Sequence, residues 1–138
     1  KILDINNYGC YISKWGPSGD GDDEWQFFSN TFGYTSLIVN STSKPGSPNS
    51  ETGDTLNENQ WYHIAFTWDG TNCKYFVNGA KFYERQWNNT ISPNNKPLLI
   101  GKDTPEITEY FNGRIDDIRI YDKAIGETQV DSLFRLNN

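Results

Sequence analysis

The chain has 138 residues, a formal net charge of −6 and 15% aromatic residues, with five tryptophans, two cysteines, one histidine and no methionine. So acidic a composition argues against nucleic acid as a partner, because a phosphate-binding surface needs clustered Lys and Arg. No stretch approaches the roughly 18 apolar residues of a membrane helix. Two cysteines and one histidine are too few for a structural zinc site.

The size suits one domain with its own core, so residues 1–138 are expected to form a single unit. Asn, Thr, Ser and Gly dominate beside the aromatics, a profile of strands joined by polar turns. Period-two alternation then marks the strands in chain order. YGCYISKW (8–15) is the first, followed by an acidic Gly-rich loop over 16–24. WQFFSN (25–30) and TSLIVNST (35–42) come next, before a polar loop over 43–54 whose two prolines rule out a central strand. WYHIAFTWD (61–69) and CKYFVNG (73–79) form a hairpin, and Asn78-Gly79 signals a tight turn into KFYERQW (81–87). PLLIG (97–101) is a short strand, and FNGRIDDIRIY (111–121) is expected to be the longest one. Ile125, Val130, Leu133 and Phe134 are spaced for a short terminal helix within 124–134. Cys10 and Cys73 allow one disulfide at most, or two buried thiols.

Two of these stretches carry a resemblance. WYHIAFTWDGTNCKYFVNG and FNGRIDDIRIYDKAIGETQVDSL resemble, in order and spacing, two signature motifs of laminin G-like domains in the concanavalin A-like lectin/glucanase superfamily. The likeness covers about residues 8–134. It implies an all-β jelly-roll sandwich of two antiparallel sheets with a short C-terminal helix, and it puts the 61–79 hairpin in the sandwich core. Family members have further strands before the one matching YISKW. The expectation is therefore a domain lacking its usual N-terminal strands, completed by a preceding fragment or a partner chain. A sandwich without them would expose an unpaired edge.

Catalysis is tested by its carboxylates. Glycosidases need two acids on one face, and alternate positions of a strand supply that. Asp116 and Asp117 are neighbours, so on a strand they diverge, and no enzyme is expected. Asp116 is a candidate calcium ligand, because family members bind calcium with oxygen ligands; its other reading is a hydrogen-bonded structural carboxylate. GDGDDEW (19–25) alternates acids as an EF-hand would, but Trp25 stands where the turn glycine belongs. His63 is read as a strand histidine bonded to its neighbours.

Sugar binding uses flat aromatic rings flanked by amides. Trp15, Trp25 and Trp87 sit beside polar loops, with Gln86 and Asn88 as neighbours, and are the candidate ligand-binding residues. Asn40-Ser41-Thr42 and Asn88-Asn89-Thr90 fit the glycosylation sequon. The expected function is a non-catalytic module, secreted or at the cell surface, that recognises a carbohydrate or an extracellular protein. The alternative is a structural accessory sandwich of a larger secreted enzyme or adhesin.

Overall fold

In a computed structural model of the chain, residues 1–4, 9–16, 25–29, 35–39, 56–88, 90–91, 93–104 and 109–136 are described, with 36, 38 and 39 by backbone alone. The acidic run 17–24 and the polar run 40–55 lie outside the described residues. The seven strands and one helix among the described residues fall into two compact units, Lys1–Gln60 with Ile91–Asp116, and Trp61–Thr90 with Asp117–Asn138. Each unit holds one antiparallel sheet. The all-β expectation of two antiparallel sheets with a short C-terminal helix is met.

The first unit contains β1 (Gly9–Lys14), β2 (Trp25–Ser29), β3 (Thr35–Val39) and β7 (Leu99–Ile100), in spatial order β3-β2-β1-β7. The β1–β2 register shifts between Cys10 and Ile12, so Tyr11 is the extra residue of a bulge. The Tyr11 ring meets Phe27 and Phe111 edge-on at 5.4 and 5.0 Å, and burial pushes its hydroxyl pKa up. Cys10, Phe28, Leu37 and Leu56 complete the apolar core.

A polar knot lies inside this core. Ser13 and Gln26 face each other across β1 and β2, both buried. The Gln26 amide donates to Oδ1 of the buried Asp103, and the single Ser13 hydroxyl proton is shared between the carbonyls of Lys102 (3.0 Å) and Asp103. A buried carboxylate persists only where such donors replace its water. After Gly101, which takes the left-handed φ of +71°, the chain returns alongside itself. Asp103 N–H donates to the Glu109 carbonyl at 3.2 Å, and Phe111 N–H to Gly101 at 3.0 Å.

The second unit is the sheet β4-β5-β6, formed by β4 (Ile64–Trp68), β5 (Asn72–Val77) and β6 (Ala80–Gln86), with the helix α1 (Glu127–Arg135). Asn78 and Gly79 have φ of +50° and +80°, the paired positive values that the Asn-Gly signal anticipates for a two-residue hairpin. Asn78 also ties the turn to its neighbour: its N–H donates to the His63 carbonyl at 2.7 Å, and its Oδ1 accepts from His63 N–H at 3.1 Å.

The helix begins at Gly126, whose N–H donates to Gln129 Oε1 at 2.9 Å, the reciprocal arm of a capping box. Glu127 lies in its first turn and Arg135 in its last, both favourable to the helix dipole. Val130 is 0% exposed, and Tyr75 and Phe76 of β5 are buried in the same unit. A side chain on Gly79 would come within 3.0 Å of Asp131 and Phe134, so the helix closes on the β5–β6 turn where only glycine leaves room.

The expected strand over 111–121 does not form. Gly113 makes an isolated bridge to Ile2, and Arg114 N–H donates to the Lys1 carbonyl at 2.7 Å, but no strand is assigned in this stretch. Asp117, at φ +50°, breaks the extended path that alternation requires. Ile118, Ile120 and Tyr121 are exposed as a result. The other strands occur where alternation places them, with β5 and β6 each beginning one residue earlier than expected. The helix spans Glu127–Arg135, one residue beyond its expected end.

Cys10 and Cys73 are free, buried thiols. Burial first, then the negative charges of Asp103 and Asp69 respectively, pushes each up to about 12.

Candidate ligand-binding cleft

The β4–β5 connection is built by Asp69. Its Oδ1 accepts the N–H of Thr71 at 2.9 Å and of Asn72 at 2.7 Å, an Asx-type turn. Gly70 follows at φ +91° with open space around it. These two amide donors hold the Asp69 carboxyl below its usual range, so it is ionised at neutral pH.

The register then sets what this hairpin presents. Thr67 faces Lys74, Asn72 faces Gln86, and Lys74 faces Glu84. Cross-strand partners share a face, so Thr67, Asn72, Lys74, Glu84 and Gln86 form one polar surface. The aromatic residues Phe66, Trp68, Tyr75 and Tyr83 take the opposite face by the same alternation. A small open cleft of about 190 Å³ lies on the polar face, lined by Thr67, Asp69, Asn72 and Lys74. Its other wall is Ala124, Ile125 and Gly126, the residues leading into α1.

Ion pairs fix that wall. Lys74 Nζ lies 3.0 Å from Glu127 Oε1 and 3.7 Å from Glu84 Oε1. Lys81 Nζ is 2.9 Å from the same Glu127 oxygen and 2.6 Å from Glu84 Oε2. Hydrogen bonds from Lys81 and then Lys74 hold the Glu127 carboxyl below its usual range, and those to Glu84 and Glu127 raise the Lys81 ammonium. The cleft therefore joins a hydroxyl, a carboxylate, an amide and an ammonium to a short apolar wall. Such a surface hydrogen-bonds a polyhydroxylated ligand while giving its apolar face a place to rest.

The candidate residues read from sequence divide between the units. Trp15, in the first, is only 8% exposed, and Trp25 is half-buried opposite Lys14. Gln86, Trp87 and Asn88 belong to the second unit and are not among the residues that line the cleft. Gln86 is the cross-strand partner of Asn72, and Trp87 N–H donates to the Thr71 carbonyl at 2.6 Å. The Trp87 ring lies 5.0 Å from that of Trp68, whose Nε1–H donates to the Trp87 carbonyl at 3.2 Å. Trp87 thus supports the turn from behind, and the exposed Asn88 follows it.

Thr67, Asp69, Asn72 and Lys74 line the cleft although the motif that contains them reads from sequence as core. The signal was present: polar residues at alternate positions on both arms of the hairpin.

Asp116 is exposed, and Asp117 pairs with Arg119 at 3.0 Å. Since they do not lie on a strand, alternation supplies no argument about their directions. Calcium takes six to eight oxygen ligands, usually several from carboxylates. Among the described residues no three His, Cys, Asp or Glu side chains gather as a metal site. The Nδ1 of His63 is buried without a hydrogen-bond partner, and the ring lies 6.0 Å from that of Phe134. Burial and then the Arg119 charge lower its pKa, partly opposed by Asp117. No helix among the described residues is long and apolar enough to cross a membrane.

Antiparallel sheets of short strands with one short C-terminal helix define an all-β module. The chain belongs to the laminin G-like domains of the concanavalin A-like lectin/glucanases superfamily, whose family model matches residues 2–131. Such domains are generally non-catalytic, and the family marks this chain as a binding or accessory module. No curated protein matches it. An S-layer domain-containing protein from Clostridium thermocellum, solved over its residues 221–444, is similar at 24% identity and a TM-score of 0.48. The match covers 97% of this chain and 66% of that one.

Proposed function

We propose that this chain is a non-catalytic carbohydrate-binding module, working outside the cell or at its surface, where glycans are displayed. The observation that carries the reading is the cleft. Thr67, Asp69, Asn72 and Lys74 offer donors and acceptors to sugar hydroxyls from a hairpin whose turn is already fixed. Ile125 and Ala124 form the apolar side against which a pyranose face rests. Glycoside hydrolysis needs two cooperating carboxylates. The one that lines this cleft, Asp69, is occupied by two backbone amides, which suits holding a ligand rather than moving a proton.

Isothermal titration against a panel of neutral oligosaccharides tests this. Wild type should bind at least one of them, weakly. Asn72→Ala should abolish the heat, because the amide is the cleft's central donor and acceptor. Trp87→Ala should weaken binding by loosening the turn that Trp68 and Trp87 support. No heat from any sugar would overturn the reading.

A second reading, an accessory module that docks on a larger protein, is favoured by a different observation. Ile118, Ile120 and Tyr121 are 41–57% exposed within four residues of each other. Clustered apolar surface of this kind marks a contact site.

A further inference from the structure

We infer that the cleft selects uncharged glycans and rejects those bearing carboxylates or sulfates; the inference rests on the carbohydrate reading and adds the ligand's charge. Among the described residues Lys74 is the single cation that lines the cleft. Its ammonium is committed to Glu127 at 3.0 Å and lies 3.7 Å from Glu84. Lys81, the next cation, is held by the same two acids. Counting Asp69, three carboxylates stand against two ammoniums on this face of the sheet. The whole chain, at −6, has the same sign.

The helix start gives no refuge to an anion. N-terminal N–H groups attract negative charge, but Glu127 already occupies the first turn and Gln129 caps the Gly126 N–H. An acidic sugar would have to draw Lys74 from Glu127 and then lie beside Asp69. A neutral sugar needs neither step. It takes hydrogen bonds from Thr67, Asn72 and the outward N–H groups of Lys74 while the ion pairs stay in place. Glu127 is thus a specificity-determining residue that touches no ligand. It acts by keeping Lys74 neutralised.

The test compares trigalactose with trigalacturonate, matched except for the carboxylate at each C6, by titration calorimetry. Wild type should bind trigalactose at least about tenfold more tightly, the scale of one unit charge a few ångström away near a protein surface. Raising the salt concentration should strengthen trigalacturonate binding by screening repulsion, where a cationic site would lose affinity. Glu127→Gln should raise trigalacturonate affinity about tenfold by releasing Lys74, with trigalactose nearly unchanged. The salt measurement uses wild type alone, so it decides the matter even if the variant folds poorly. Trigalacturonate binding as tight as trigalactose, or weakened by salt, overturns the inference and leaves the carbohydrate reading standing. Silence with both sugars and with the full neutral panel overturns the reading and the inference together.

Discussion

Lys74 of β5 holds Glu127 of α1 at 3.0 Å, and this pair joins the two sequence-distant walls of the cleft. Residues 53 apart in the chain meet here, and Lys81 reaches the same oxygen at 2.9 Å. The bond between sheet and helix is therefore shared by two lysines on one carboxylate. That sharing makes Glu127 the group through which acid should act.

Glu127→Gln is expected to lower the melting temperature slightly at neutral pH and low salt. The group is exposed, so the effect is small and should vanish in high salt. Because the folded carboxyl lies below its unfolded value of 4.5, its stabilisation is full above that pH and fades as pH falls below it. Melting curves of wild type and variant should converge below pH 4, and curves that stay parallel would show the pair contributes nothing.

His63 should make stability depend on pH in a higher window. The folded ring is held neutral, whereas the unfolded residue protonates near 6.5. Below that value the unfolded chain binds the extra proton, so stability drops until the folded ring titrates too. His63→Phe removes this dependence and keeps an aromatic ring against Phe134. Urea midpoints between pH 7.5 and 5.5 should slope downward for wild type and lie nearly flat for the variant.

The two positive-φ glycines of the second unit separate backbone strain from crowding. Gly70→Ala has open space and should cost only the left-handed penalty, about 1–2 kcal/mol. Gly79→Ala carries the same penalty and also brings a methyl within 3.0 Å of Asp131 and Phe134. It should therefore be the more destabilising by about 1–3 kcal/mol. Equal costs, read from urea denaturation, would mean that the helix does not press on the turn.

In the first unit, Gln26→Leu removes the amide that donates to buried Asp103. Stability should fall by about 1–3 kcal/mol, the cost of a buried polar group deprived of a partner, and more if the carboxylate stays charged. Adding Asp103→Leu should restore part of the loss, since two apolar groups leave nothing unsatisfied. A double mutant worse than either single change would show that the knot is held by other contacts.

Most strands were legible in sequence because their information is local. Alternating side chains with a turn pair such as Asn78-Gly79 identify a hairpin whatever surrounds it, and the spacing of Ile125, Val130, Leu133 and Phe134 marks a short helix. The stretch 111–121 shows the limit of this reasoning. Its apolar residues change phase between Ile115 and Ile118, and a strand also needs a neighbour to bond with, which pattern alone does not reveal. The residues that line the cleft are hard to read from sequence: Thr67, Asp69, Asn72 and Lys74 lie in a hairpin that also carries core residues on its other face, so its motif reads as core.

By itself, then, the sequence determined the antiparallel hairpins, the turn residues, the helix and the family motifs, all of which arise from contacts between near neighbours. Only the tertiary structure decided which face of the β4–β5 hairpin stays open, that Ala124, Ile125 and Gly126 close over it, and that Lys74 spends its charge on Glu127. Those outcomes depend on which distant segments meet, and the energy of such meetings is absent from any short window of residues.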